Sequence, residues 1–496
     1  MATLPAIVVP PSATDARRSV SMPLVTGIAL LVATLLLRAP TFGDPAPFLD
    51  EQFYLLVGDR LLHGAVPYVD IWDRKPIGLF LLYAAIRLLG GQGVYQYQVV
   101  AALFAWAGAW AVSRIARRAA PEPAALFAGL AYLLWIETVE GGGGQSPVFY
   151  NPLVAFAALA TLRAIESSDV RRSLRHGFVA MALGGIAIQI KYTALFEVAF
   201  FGLVLAGLLL RRLPLAKAVG WTGLLAAAAL FPTLLAWVAY AAIGRGQSFV
   251  FANFVSIMLR DTAIDGKTGE RLITSLGHLA PLSLCTAASL WQLRRSEAAV
   301  RRWALFLMGW IGAALAGYFL IGGFYYHYLM PLYVPLAVGL APIAARRPIG
   351  IGFAAIALWI PLANLGWPDL ASHRRSREQI EKMVALLPAD VDRGCLFEYD
   401  GPPILFQLAH ACTLSRFVFP DHLSSRVEQD ALGIDSASEV RRILAAHPSA
   451  ITIGREADAK RNPRTAAILF ETLRRSYWLA GSANFEGRTI DMYVRR

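Results

Sequence analysis

Long apolar runs separated by short basic segments dominate the first 365 residues of the chain. Eleven of these runs approach the roughly 20 residues that a helix needs to cross a bilayer. The predicted spans are 22–40, 95–113, 122–139, 148–165, 176–191, 193–210, 217–243, 276–293, 303–321, 328–345 and 348–365. Arginine pairs mark alternate ends of the runs, and basic residues concentrate on the cytoplasmic side of membrane proteins. The pattern predicts an α-helical polytopic membrane protein with residues 1–21 as a cytoplasmic tail.

One apolar run, at residues 77–89, is too short to cross. Its 13 residues would make a helix of about 20 Å, against about 30 Å of hydrocarbon. Counting this run as a span would also turn the arginines at 114–118 outward. We therefore predict that it is an interfacial helix on the outer face, inside a long outer loop at residues 41–94.

Beyond residue 365 the long runs give way to short elements. Predicted strands are 394–399, 450–454 and 490–494, and predicted helices are 438–446 and 465–475. Their alternation indicates a small C-terminal α/β domain over residues 366–496. An odd number of crossings places this domain outside. Cys395 and Cys412 lie in it, and both a disulfide and two separate buried thiols are consistent with the sequence.

Composition supports the membrane interpretation. Hydrophobic residues make up 56% of the chain and charged residues 16%, against about 25% charged in soluble domains. A soluble enzyme and a disordered scaffold are therefore excluded, and three cysteines are too few for a disulfide-framed secreted module. Residues 364–496 carry 18 basic and 17 acidic side chains, so 11 of the 12 net positive charges belong to the apolar part. This placement fits membrane topology and predicts no nucleic-acid partner.

The outer loop 41–94 holds two clusters of ionisable residues. Asp50–Glu51 follows the first span, and Asp73–Lys75 comes more than 20 residues later. Helical apolar spacing over Glu51–Leu62 predicts a helix between them, which could fold back and bring the clusters together. A charge at the centre of a membrane helix costs about 2.5–3.5 kcal/mol on insertion scales and often marks a functional site.

This loop resembles the first outer loop of glycosyltransferase family 39, the protein O-mannosyltransferases, and of relatives that move sugars onto lipid A. These proteins belong to the GT-C superfamily. The matching residues are Asp50-Glu51, Tyr54, Gly64, Pro67-Tyr68 and Lys75-Pro76, with Ile77 in place of the family's second proline. The resemblance covers roughly residues 1–365, because two later segments also match.

Gly184–Tyr192 is similar to the family's glycine-rich helix that ends in lysine, and Phe324–Pro331 to its aromatic-His-Tyr segment. The loop 137–151 departs from the pattern, since Pro147 and Val148 stand where a carboxylate is usual. That departure leaves any role for this loop open.

The resemblance implies a GT-C-like membrane glycosyltransferase that moves a hexose or pentose from a polyprenyl-phosphate carrier to an acceptor hydroxyl. A leaving phosphate needs cations rather than a general acid. Lys75 is the first candidate for this role, and the assisting candidates are Arg74, Lys191 and His327. The acceptor hydroxyl needs a base, for which Asp50 is the candidate, with Glu51 as the second catalytic candidate about 100° away around the helix. A single displacement would invert the anomeric centre.

The remaining candidates for substrate binding are Asp73, Tyr54, Tyr68 and Tyr328. Asp50, Asp73 and His327 could instead ligate a divalent metal, although they lack tight spacing. Lys191 could equally be a snorkelling lysine, and His327 an interfacial aromatic-belt residue. No nucleotide cofactor is expected, because the run Gly141–Gly144 lacks a strand–loop–helix setting.

The expected partners are a polyprenyl-phosphate-linked sugar, membrane lipids and an acceptor that is a lipid, a glycan or a protein. The expected location is a bacterial inner membrane, with the site and the C-terminal domain in the periplasm. Three alternatives remain: a transporter or flippase, a non-catalytic assembly protein, and a polysaccharide polymerase or ligase that uses a polyprenyl-diphosphate donor.

Overall fold

The computed structural model describes residues 13–496, except residues 48, 263, 265, 367, 368, 457, 458 and 486. The apolar part contains the helices α1 Ala13–Arg38, α2 Leu49–Leu62, α3 Ile77–Arg87, α4 Val94–Ala116, α5 Glu122–Glu137, α6 Ser146–Glu166, α7 Val170–Ile190, α8 Ala194–Leu210, α9 Leu215–Ala242, α10 Gly246–Val250, α11 Thr268–Leu293, α12 Ala298–Ile321, α13 Met330–Ala344 and α14 Ile349–Leu365. Residues 1–12 of the predicted tail lie outside the described part, and α1 begins at Ala13.

Nine stretches of helix in the described part of the chain are long and apolar enough to cross a membrane. They coincide with nine of the eleven predicted spans. The other two predicted spans form α5 and α8, which have 16 and 17 residues. At 1.5 Å per residue these helices are about 24–26 Å long, slightly shorter than the hydrocarbon layer. Crossing by these two helices therefore stays a prediction.

The first loop, residues 41–94, folds into two helices that lie against the bundle. Its short apolar run forms α3, whose 11 residues pack on α2 and on α7. Glycines allow both contacts: a Cβ atom on Gly58 would lie 2.7 Å from the backbone of Ala84, and one on Gly78 would lie 2.6 Å from Gln189 O. The loop is therefore held by close backbone packing at both of its helices.

The C-terminal part is a small α/β unit. It contains α15 Leu370–Leu386, α16 Val391–Gly394, β1 Leu396–Glu398, α17 Ile404–Leu408, α18 Pro420–Ser424, α19 Ser436–Ala445, β2 Ala450–Gly454, α20 Pro463–Ser476, β3 Tyr477–Phe485 and β4 Arg488–Arg495. The sheet order is β1-β2-β4-β3, with β1 and β2 parallel and the other pairs antiparallel. Cys395 and Cys412 form a disulfide, one of the two states that the sequence left open.

The predicted strands correspond to β1, β2 and β4, and the predicted helices to α19 and α20. The sequence patterns missed β3, α15 and the short helices α16, α17 and α18. In particular, β3 starts at Tyr477 directly after α20 ends at Ser476, so no turn residue separates the two elements. Without that signal, the sequence predicts no separate element over Tyr477–Phe485.

The first loop also enters the core of the C-terminal unit. Trp72 is only 2% exposed, and its ring lies 5.5 Å from that of Phe417 and 4.9 Å from that of His422. The Trp72 backbone N–H donates a hydrogen bond to Arg416 O at 2.8 Å. The C-terminal unit is therefore built around a side chain of the first loop rather than merely attached after the last helix.

We predict that Trp72→Ala destabilises the C-terminal unit by about 3–5 kcal/mol, because it empties a buried indole site. Limited proteolysis of the purified protein should then cut this unit faster. The matched control is Trp478→Ala, since Trp478 is 56% exposed on β3 of the same unit. Equal protease resistance of the Trp72 variant and the wild type would contradict the prediction.

Candidate active site

The two ionisable clusters of the first loop meet at Lys75. Its Nζ lies 3.5 Å from Asp50 Oδ1 and 3.6 Å from Asp73 Oδ2. Asp50 is in the first turn of α2. Lys75 comes directly before Pro76, which occupies the N-cap position of α3. The packing of α2 against α3 therefore brings together two charges that are 25 residues apart in the chain.

Two of the tyrosines that the sequence suggested for substrate binding position the lysine. The Tyr68 hydroxyl donates a hydrogen bond to the backbone carbonyl of Lys75 at 2.8 Å. The Lys75 ammonium lies 5.1 Å from the centroid of the Tyr54 ring, a favourable cation–π arrangement. Both rings are almost completely buried, so the lysine is held on one side by a hydrogen bond and on the other by an aromatic face.

The second loop, residues 137–151, contributes two contacts that sequence reasoning missed. Gln145 Nε2 donates a hydrogen bond to Asp50 Oδ2 at 2.7 Å, and Glu140 Oε2 lies 2.8 Å from His327 Nδ1. The family pattern places its carboxylate where Pro147 and Val148 stand, so neither contact was expected. The available signal was the polar pair that flanks the glycine run in this loop. An amide thus contacts the aspartate, and the carboxylate contacts the histidine.

Charges around Asp50 decide its protonation. Burial by itself would raise the pKa of Asp50, but the Lys75 ammonium, His327, the hydrogen bond from Gln145 and Lys191 together hold it well below its usual range. Burial would likewise lower the pKa of Lys75, but Asp50 and Asp73 raise it. Both side chains remain charged, and each stabilises the other in a partly buried site.

Lys191 and the His327–Tyr328 pair lie on another side of the same centre. The Lys191 ammonium lies 4.3 Å from the centroid of the Tyr328 ring, and the His327 ring packs edge-on against Tyr328 at 4.7 Å. A positive charge on Lys191 or His327 would lower the pKa of Asp50. Segments far apart in the chain therefore supply basic side chains around one carboxylate.

Arg74 and Glu51 point elsewhere. The Arg74 guanidinium forms an ion pair with Glu428 of the C-terminal unit and contacts Ser256 Oγ at 3.3 Å. Arg260 Nε reaches the same glutamate at 2.8 Å. Glu51 is fully buried. The pKa of Tyr83 is raised by the burial of Tyr83 itself and by the nearby charge of Glu51. Of the adjacent pair Asp50–Glu51, the structure therefore places Asp50 at the cluster and Glu51 outside it. Of the pair Arg74–Lys75, it places Lys75 at the cluster and Arg74 outside it.

The three residues proposed as metal ligands do not converge. The Lys75 ammonium occupies the space between Asp50 and Asp73, and His327 is bonded to Glu140. Among the described residues, no group of three or more His, Cys, Asp or Glu side chains could hold a metal ion. The residues at this site thus do not fit a metal ion.

The overall arrangement defines a class: a membrane helix bundle with a charged site at its loop end, covered by an α/β unit. Residues 73–237 match the family model described as dolichyl-phosphate-mannose-protein mannosyltransferase. No match is found among curated proteins. The family match begins at Asp73, within the second ionisable cluster of the first loop.

Solved structures share the fold over almost the whole chain. ArnT from Cupriavidus metallidurans bound to undecaprenyl phosphate is 15% identical with a TM-score of 0.60, covering 97% of this chain and 98% of its own. The archaeal oligosaccharyltransferase AglB from Archaeoglobus fulgidus, in complex with an inhibitory peptide and a dolichol-phosphate, is 13% identical with a TM-score of 0.51, covering 87% of this chain and 69% of its own. The expected resemblance to the mannosyltransferase family is confirmed over residues 73–237, and the expected helical membrane fold is shared with these structures.

We predict that Glu428→Gln lowers the stability of the folded protein by about 3 kcal/mol, because it leaves two largely buried arginines without their counter-charge. The Glu428 side chain is 3% exposed, and Arg74 and Arg260 lower its pKa to about 2 against the effect of burial. The measurement is thermal unfolding in detergent. The control is Glu471→Gln, whose partner Arg475 is exposed and whose loss should cost less than about 1 kcal/mol. Equal unfolding temperatures for the two variants would contradict this account.

Proposed function

We propose that the protein is a membrane glycosyltransferase that moves a sugar from a polyprenyl-phosphate carrier to an acceptor hydroxyl. The observation that carries the proposal is the partly buried Lys75 ammonium between Asp50 and Asp73 at the loop end of the bundle. A lipid-linked phosphate presents a negative charge that such an ammonium can bind. The family match and the shared fold with a structure bound to undecaprenyl phosphate support this choice of donor.

The proposed step is a single displacement. Asp50 takes the proton of the acceptor hydroxyl, the hydroxyl oxygen bonds to the anomeric carbon, and the bond from that carbon to the phosphate oxygen breaks. The electron pair leaves with the carrier phosphate, whose growing charge is stabilised by Lys75, with help from Lys191 and His327. One displacement inverts the anomeric centre. Asp73 and Gln145 act as positioning residues, since one contacts Lys75 and the other Asp50.

Donor binding would also strengthen the base. While Lys75 lies 3.5 Å from Asp50, the carboxylate is strongly stabilised and takes up a proton poorly. A phosphate bound to Lys75 offsets its positive charge, whereas burial continues to favour the protonated carboxyl group. The pKa of Asp50 therefore rises when the donor binds, and the base becomes active only when its substrate is present.

The proposed location is a bacterial inner membrane, with the N-terminus in the cytoplasm and residues 366–496 in the periplasm. Basic pairs on the opposite side of the bundle support this orientation. The disulfide between Cys395 and Cys412 supports it as well, because disulfides persist in oxidising compartments. The donor site would then face the periplasm. A lipid, glycan or protein acceptor would reach the site from that side.

We predict that Lys75→Ala and Asp50→Asn separate binding from transfer. Lys75→Ala should abolish retention of undecaprenyl phosphate in native mass spectrometry, because the principal phosphate-binding cation is lost. Asp50→Asn should bind this lipid at least as well as the wild type, since a negative charge beside Lys75 is removed, and yet lose about 10²–10⁴-fold in transfer from undecaprenyl-phosphate monosaccharides. The control is the exposed Lys217→Ala. Undiminished transfer by the Asp50 variant would refute the assignment of the base.

We also predict that the acidic limbs of the two pH profiles differ. The profile of kcat/KM for the donor reports the free enzyme, in which the pKa of Asp50 is well below its usual range. The profile of kcat reports the donor complex, in which that pKa is raised. On acidification, kcat should thus fall at a higher pH than kcat/KM. Coincident acidic limbs would show that donor binding leaves the base unchanged.

A further inference from the structure

A cluster of arginines follows the last predicted span. Arg374, Arg375 and Arg377 lie in the first half of α15, soon after α14 ends at Leu365. All three side chains are exposed, and no ion pair between described residues involves any of them. Residues 364–496 carry 18 basic and 17 acidic side chains in all, so three arginines within four positions are a local excess of positive charge.

Membrane topology does not account for this cluster. Basic residues direct the adjoining end of a span to the cytoplasm. Arg346 and Arg347 already precede the start of α14, so both ends of this last span are basic. The helix dipole gives no reason for the cluster either, since the first turn of a helix favours acidic side chains. The arginines therefore serve neither the topology nor the stability of their helix.

The opposite face of α15 is engaged with the protein. His373 Nδ1 lies 2.9 Å from Asp44 Oδ2, and the Ser376 hydroxyl donates a hydrogen bond to Asp44 Oδ1 at 3.2 Å. Ile380 and Met383 continue this face at helical spacing, and both are completely buried. This packing turns the exposed arginines of α15 away from the protein.

The neighbours of the cluster place it at the boundary between lipid and water. Arg377 Nη2 donates a hydrogen bond to Phe42 O at 3.3 Å. The Phe42 ring lies 5.6 Å from that of Tyr95, which is 56% exposed at the start of the span α4. Exposed aromatic side chains at the ends of spans are typical of the membrane–water interface. The arginines therefore lie near the level of the lipid headgroups.

We infer that the α15 arginine cluster, Arg374, Arg375 and Arg377, binds the phosphate of an anionic lipid of the surrounding bilayer. Guanidinium groups bond phosphate oxygens through two nitrogens, and basic clusters next to a span attract anionic headgroups. Leu370 is 61% exposed on the same face of α15 as Arg374 and provides an apolar contact for the acyl chains. The inference uses no step of the proposed reaction.

The bound lipid would also brace the loop that carries the candidate active site. Through His373 and Ser376, α15 holds Asp44, which comes shortly before Asp50 in the chain. A lipid that fixes one face of α15 against the bilayer therefore fixes the residues on the other face that hold the first loop.

The experiment is native mass spectrometry of the detergent-purified protein, titrated with phosphatidylglycerol or with phosphatidylcholine. The wild type should bind phosphatidylglycerol more tightly. Arg374→Gln combined with Arg375→Gln should weaken phosphatidylglycerol binding about 30-fold, since each basic residue near an anionic surface contributes about a factor of five, and should leave phosphatidylcholine unchanged. The matched control is Arg441→Gln combined with Arg474→Gln, which removes two exposed arginines from α19 and α20.

Equal binding of the two lipids by the wild type would overturn the inference. Unchanged phosphatidylglycerol binding in the Arg374/Arg375 variant, or an equal loss in the control variant, would overturn it as well. Because both substituted side chains are exposed and form no ion pair with described residues, the variant should keep its fold.

Undecaprenyl phosphate, added separately to the same proteins, distinguishes this inference from the proposed function. The Arg374/Arg375 variant should bind this carrier as the wild type does, whereas Lys75→Ala should lose the carrier and keep phosphatidylglycerol. Loss of the carrier in the arginine variant would overturn the inference, because it would assign the cluster to the donor. Carrier binding that is independent of Lys75 would instead contradict the proposed function and leave the lipid comparison intact.

Discussion

A lysine ammonium held between two carboxylates in a partly buried site is the interaction on which the rest of this structure depends. The charges of Lys75, Asp50 and Asp73 are stabilised there by an opposite charge 3.5–3.6 Å away. Close packing of α2 on α3 at Gly58 brings the aspartate to the lysine. The same neutralisation makes the site ready for a phosphate anion, which can take the place of a carboxylate beside the ammonium.

The C-terminal unit holds this arrangement in place from outside. Trp72 fills part of its core, and Glu428 binds the two guanidiniums of Arg74 and Arg260. Residues 72 and 74 are thus anchored immediately before Lys75. Arg74 is suited to the anchor because its planar fork can bond a carboxylate through two nitrogens, whereas a lysine offers a single point charge. The adjacent basic residues therefore differ in function: Arg74 holds the loop against the C-terminal unit, and Lys75 belongs to the charged cluster.

The sequence predicts the membrane part well because spans depend on local properties, namely apolar length and flanking arginines. In the described part of the chain, nine of the eleven predicted spans coincide with long apolar helices, and the short run at residue 77 forms a separate helix. The meeting of the two clusters was also predictable, since a helix of suitable length separates them. The contacts of Gln145 and Glu428 were not, because they join segments 95 and 354 residues apart and leave no periodic signal. The same holds for Trp72, whose burial depends on a domain that comes hundreds of residues later.

The central claim is that a carrier phosphate binds at Lys75 and separates it from Asp50. The most direct test is a cryo-EM structure of the protein in nanodiscs with undecaprenyl phosphate added. The account predicts phosphate density within hydrogen-bonding distance of Lys75 Nζ, with the Lys75–Asp50 contact of 3.5 Å opened and the Gln145–Asp50 contact retained. Phosphate bound elsewhere on the protein, with the Lys75–Asp50 pair intact, would contradict it.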